Sequence, residues 1–202
     1  MTTSVLPAPR RAERATADVS ATAWALAARG GDLDATEHFV RALHADVLRY
    51  VAFLSGDPQG ADDLAQDTFV RALGSLPRFE GRSSARTWLM SIARRAVADS
   101  LRRAAVRPRS ADTDDWQSAM ERAQPRGLPG FDDGVALLDL LERLPDERRE
   151  AFMLTQVVGL PYDEAAGLIG CPVGTVRSRV ARARATLDRL LLEAEAQAAE
   201  AA

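Results

Sequence analysis

The stretch PYDEAAGLIGCPVGTVRSRVARARATL, residues 161–187, decides how this chain is read. Asp163, Glu164, Ala165 and Ala166 supply a short helix, Gly170 suits the left-handed conformation that ends it, and Pro172 suits the opening turn of a second helix. In that second helix Val176, Val180, Ala183 and Leu187 recur at helical spacing, so one stripe packs inward while Arg177, Ser178, Arg182 and Arg184 stay outside it. Small Ala165 and Ala166 let the two helices approach, and Ile169 and Val173 wedge the angle between them. The segment reads as a DNA-binding helix-turn-helix whose outward groups suit phosphates and base edges.

Working outward, the whole chain of 202 residues has room for one large domain or two small ones. Alanine, leucine and arginine dominate, aromatic residues make up 5%, and alternating β-branched runs are missing, which predicts an all-α protein. The net charge of −3 does not by itself point to nucleic acid, but the charges are segregated. Basic residues gather at 78–109 and 177–189, acids at 57–67 and 112–133, so different faces should meet different partners. Every cationic side chain apart from the two histidines is arginine. The single Cys171 excludes an internal disulfide and a cysteine-cluster metal site, in keeping with a reducing cytoplasm. No apolar run approaches a bilayer-spanning length and no secretory h-region follows the basic start, so a soluble, cytoplasmic protein without membrane insertion is expected.

Residues 1–20 lack a sustained period and read as a flexible tail, with structure beginning near Ala21. Trp24, Leu26 and Ala27, then Phe39, Val40, Leu43, Val47, Leu48, Val51 and Leu54, predict two helices sharing a core, the second capped by Asp34. Gly56, Asp57, Pro58 and Gly60 interrupt the pattern. Leu64, Ala65, Thr68, Phe69, Ala72, Leu73 and Leu76 then form the apolar face of a third helix, whose start carries Asp62, Asp63 and Asp67. A loop at 77–84 precedes a fourth helix over 84–103, with Trp88, Leu89, Ile92, Ala96, Val97 and Leu101 inward and arginines outward. Residues 108–134 carry Pro, Gly, Ser and Asp with little period and read as a linker. The expected organisation is a tail at 1–20, a helical domain at 21–107, the linker, a helix-turn-helix domain at 135–192 and a C-terminal tail at 193–202.

Three segments carry a resemblance: DDLAQDTFVRAL (62–73), RFEGRSSARTWLMSIARRAVADSLRR (78–103) and LPDERREAFMLTQVVGLPYDEAAGLIGCPVGTVRSRVARAR (144–184). In this order they resemble a bacterial RNA polymerase sigma factor of the extracytoplasmic function (ECF) type, over residues 21–191. The resemblance implies a non-enzymatic subunit that binds core RNA polymerase, directs it to promoter DNA and helps open it, without a cofactor or metal. It also implies that an anti-sigma factor is a possible further partner.

Residue by residue, the resemblance implies that Asp62, Asp63, Gln66, Asp67 and Phe69 dock on a helical coiled coil of the polymerase. It assigns the minus-ten promoter element to a base-capturing loop and helix with Arg82, Ser84, Arg86, Arg94, Arg95, Arg102 and Arg103. Arg95 stands where the family often has asparagine, so a phosphate contact is expected there instead. The minus-thirty-five element falls to Tyr162, Thr175, Arg177, Ser178, Arg182 and Arg184, the recognition helix entering the major groove. Ala181 stands where relatives carry a larger side chain.

Two other classes fit parts of the chain. A stand-alone helix-turn-helix regulator would use the C-terminal half and leave the N-terminal half unexplained. A magnesium-dependent phosphodiesterase would use Asp62, Asp63 and Asp67, yet no further histidine or carboxylate pattern completes an octahedral site. His38 and His44 lie off the usual helical ligand spacing and read as surface or core-edge groups.

Overall fold

The computed structural model describes residues 11–106 and 140–200, and there it is helical with no strand. One module holds helices α1 (Arg11–Ala28), α2 (Leu33–Ser55), α3 (Ala61–Ser75) and α4 (Ala85–Val106). The second module holds α5 (Asp146–Phe152), a π-helical turn (Met153–Val157), α6 (Tyr162–Ile169) and α7 (Val173–Glu200). The expected linker at 108–134 lies outside the described residues.

In the N-terminal module α2 forms the spine. Its Phe39, Leu43, Val47, Tyr50 and Val51 are fully buried, each contributing roughly 1.5–3 kcal/mol relative to exposure. Its start is fixed by Asp32, whose Oδ1 accepts from the Ala35 amide at 2.9 Å, and its end by Gly56 at φ 65°. The cap is thus Asp32 rather than the expected Asp34, which sits inside the first turn. From α4, Leu89, Met90 and Ala93 complete the core, with Trp88 tilted against Phe79 at 4.7 Å. His38 stacks on Trp24 and His44 on Phe69, both at the core edge.

The helix that opens this module begins at Arg11, well before Ala21, because Ala21, Ala25 and Ala28 bury a stripe of small residues against the bundle. Alanine gave the sequence reading too little apolar contrast to show this. Four residues assigned inward, Leu26, Ala27, Leu73 and Leu101, are instead exposed.

The C-terminal module follows its sequence pattern closely. Val176, Val180, Ala183 and Leu187 are buried, as are Ala165 and Ala166 facing them, and Gly170 ends α6 at φ 80°. Pro172 precedes α7, and its carbonyl accepts from the amides of Thr175 and Val176. The turn before α6 was not legible in sequence: five residues wind as a π-helix, with the Val158 amide reaching back to the Met153 carbonyl at 2.9 Å. No helix among the described residues is long and apolar enough to cross a membrane.

Candidate nucleic-acid interface

α7 presents its outer face to solvent. Arg177, Ser178, Arg182 and Arg184 are all exposed, opposite the stripe that anchors the helix in its module. Among the described residues the side chains of Arg177, Ser178 and Arg182 have no partner, so their donors are free for phosphates or base edges. Around them, Gln156 ties the face to its surroundings: it accepts from Arg184 and lies 3.5 Å from the Tyr162 hydroxyl. Arg179 turns away, pairing with Glu147 and resting 3.6 Å from the Cys171 sulfur, which makes it a framework residue of the turn. Thr175 is half-buried at the head of the helix.

The arginine-rich helix α4 is differently placed. Arg82 lies on the exposed loop before it, paired with Glu80. Arg95 folds back onto the Ser91 carbonyl at 3.1 Å, while Arg102 and Arg103 gather around Asp99. Asp99 also takes the Arg71 guanidinium at 2.6 Å, which ties α4 to α3. Hydrogen bonds from Arg71 first, then Arg102, hold the Asp99 carboxyl below the usual carboxylate range; Asp99 correspondingly holds Arg71 above the usual arginine value.

The remaining three predicted residues of this surface are engaged elsewhere. Arg86 is a core residue, 7% exposed, clasped between Asp18 of α1 and Asp46 of α2. A guanidinium so enclosed has its donors spent on two carboxylates and on the Val158 carbonyl at 3.3 Å, so the expectation that it reaches DNA needs correcting. Ser84 donates to Glu164 of α6 at 2.6 Å, and Thr87 donates to the same carboxylate oxygen. Arg94 reaches the Leu168 carbonyl at 2.9 Å and Glu150 at 3.0 Å.

These contacts seat the C-terminal module on the head of α4. Glu164 brings a carboxylate to a helix N-terminus, where the helix dipole favours negative charge. Beside it Arg149 lies over the Phe53 ring, 5.7 Å from its centroid. Tyr50 is buried below, and burial first, then the nearby Glu150 carboxylate, pushes its hydroxyl well above the ordinary tyrosine value.

The predicted polymerase-facing residues divide as well. Asp62, Asp63 and Gln66 are exposed on α3, and Asp67 pairs with Arg71 at 2.9 Å. Phe69 is buried, stacked on His44 and edge-on to Phe39, so it holds the core rather than offering a contact. The exposed apolar surface beside the carboxylates is instead Val70, at 63%, with Leu73 one turn on. A shift of one residue along the helix was the available signal, since 62, 66, 70 and 73 share a face. Among the described residues no cluster of three His, Cys, Asp or Glu side chains is placed to hold a metal ion.

Comparison with known proteins matches residues 39–107 to Sigma-70 region 2 and residues 134–187 to Sigma-70 region 4. The chain is 48% identical to the ECF RNA polymerase sigma factor SigC of Mycobacterium tuberculosis, covering 88% of this chain and 93% of that one. It is 36% identical to the ECF RNA polymerase sigma factor EcfG of Rhodopseudomonas palustris, over 68% of this chain and 75% of that one. Among solved structures it resembles CnrH in complex with the cytosolic domain of CnrY, with a TM-score of 0.61 and 26% identity, covering 85% of this chain and 97% of that one.

Proposed function

The chain belongs to the ECF group of the sigma-70 family of RNA polymerase sigma factors, and from that membership we propose how its surfaces divide the work of initiation. As a sigma factor it binds core RNA polymerase, directs it to specific promoters and assists promoter opening; the family is one of non-enzymatic initiation factors. We assign this chain no chemistry of its own. The exposed face of α3, with Asp62, Asp63, Gln66 and Val70, meets basic and apolar groups of the polymerase. Charge there sets encounter rate and register, and the apolar side chains supply more of the affinity.

Arg177, Ser178 and Arg182 read the minus-thirty-five element, with Arg184, Thr175 and Tyr162 at the rims. The loop at 80–84 and the face of α4 bearing Arg94, Arg95, Arg102 and Arg103 receive the opened minus-ten strand, whose unpaired bases need a trap and whose phosphates need cations. The observation that carries this reading is the free arginine face of α7, carried on a module separate from the arginine helix α4. Two weak DNA contacts act as one specific engagement once polymerase fixes their spacing.

Because Ser84 and Arg94 are held by the C-terminal module, assembly with polymerase must lift that module off α4 before the minus-ten strand can enter. An inhibitory partner that favours the seated form would act through the same equilibrium. CnrH was solved in complex with the cytosolic domain of CnrY, and the sigma factor RpoE of Bartonella quintana with the anti-sigma factor NepR, which supports looking for a partner here. Run-off transcription with purified core polymerase and a randomised promoter library tests the whole reading. Accurate starts that need both proteins are expected; specific duplex binding by the chain alone, with no polymerase-dependent start, would instead favour a stand-alone regulator.

A further inference from the structure

One stripe of α1 runs along the promoter-facing loop from end to end. Asp18, Thr22, Leu26 and Arg29 recur at intervals of four, four and three residues, and therefore share a helix face next to the buried alanine stripe. At the loop's start, Arg29 donates to the Phe79 carbonyl at 3.3 Å. At its middle, Leu26 lies where a Cβ on Gly81 would meet its methyls at 3.5 Å, and Gly81 itself sits at φ 70°, a conformation other residues rarely adopt. At its end, the Thr22 hydroxyl accepts from the Ala85 amide at 3.0 Å, and Asp18 takes Arg86.

The Thr22 contact is unusual in its source. The first amides of a helix lack partners within it, and a residue just ahead of the helix normally supplies one. Ser84 does so for the Thr87 amide at 3.2 Å, but the Ala85 amide is satisfied from another helix. The stripe precedes the segment matched to Sigma-70 region 2, which begins at residue 39.

We propose that the α1 stripe is a positioning element that sets the conformation of the loop at 79–86, so that residues ahead of region 2 determine how selectively unpaired promoter bases are captured. Thr22 and Leu26 are positioning residues acting through the Gly81 turn and the head of α4. The proposal rests on the reading that this loop receives the opened strand. Arg82, free at the loop tip apart from Glu80, is aimed by a backbone whose two ends and centre all bear on α1.

The test uses full-length protein assembled with core polymerase, on promoters that the wild-type holoenzyme selects from a randomised library. Initiation is measured on the selected sequence and on each single-base change across the opened segment, and expressed as a ratio. A ratio is unaffected by the fraction of active protein, so loss of folding alone does not move it. Thr22→Val and Leu26→Ala are expected to flatten discrimination about tenfold, as displaced contact groups do. Thr22→Ser, which keeps the accepting hydroxyl, should restore the wild-type ratio. Wild-type ratios in Thr22→Val and Leu26→Ala would overturn the proposal, as would equal loss in Thr22→Val and Thr22→Ser. A wild-type holoenzyme with no base preference across the opened segment would instead overturn the loop reading on which the proposal depends.

Discussion

The two arginine helices of this protein start from similar sequence and end in opposite states. α7 leaves Arg177 and Arg182 unpaired in solvent, whereas α4 has Arg86 buried and Arg94 bound across to the other module. The difference lies in neighbours, not composition. α7 stands at the outer edge of its module, while the head of α4 is where α1, α2 and the C-terminal module meet. An arginine count on a helix therefore says how much positive charge is made; packing decides how much of it is free to meet a phosphate.

Replacing Arg86 is the harshest way to probe that contrast. Arg86→Met leaves Asp18 and Asp46 facing each other in a buried site, and removing one partner of such a cluster costs about 3–5 kcal/mol. Chemical denaturation should show the loss directly; unchanged stability with impaired DNA binding would return Arg86 to the DNA surface. On α7 the opposite split is expected. Arg177→Ala with Arg182→Ala should leave stability within about 0.5 kcal/mol. Promoter discrimination should fall by about 1–3 kcal/mol for each lost base contact, read from run-off transcription on matched and mutated minus-thirty-five elements.

A gentler change loosens the seat itself. Glu164→Ala removes the acceptor for Ser84 and Thr87, and hydrogen bonds to a charged group contribute about 1.5–3 kcal/mol, less where water competes. The free chain should bind single-stranded minus-ten DNA several-fold better, measured by fluorescence anisotropy; no gain would mean that the seat does not limit access. The smallest effect is on pH. Because the folded Asp99 carboxyl titrates below its ordinary range, its tie to Arg71 adds stability that is complete above that range and is lost as pH falls through the lowered value. Asp99→Asn should lower the melting temperature slightly at neutral pH, match the wild type once the pH is below the lowered value, and so abolish this part of the pH dependence.

Much of this was legible beforehand where side chains differ sharply. The valine, alanine and leucine stripe of α7, the Gly170 stop, the apolar face of α2 and, apart from the exposed Leu73, that of α3 match their sequence pattern because apolar and charged residues alternate with a clean helical period. α1 was largely missed, since a stripe of alanines looks like any other part of an alanine-rich chain. The fate of Arg86 was invisible for a different reason. Its partners are 68 residues before it at Asp18 and 72 after it at Val158, and no local pattern encodes a contact at that separation. The same holds for Glu164, which reads as an ordinary acidic first turn until the fold brings it to Ser84.

The central claim is that the C-terminal module sits on the head of α4 in the free chain and leaves it on assembly with polymerase. Pulsed electron paramagnetic resonance tests it in a Cys171→Ser background with spin labels at Ala98→Cys on α4 and Ala181→Cys on α7, both exposed positions. A single short distance distribution in the free protein, replaced by a longer one when core polymerase is added, is the predicted result. The same distribution before and after core polymerase binds would contradict the account.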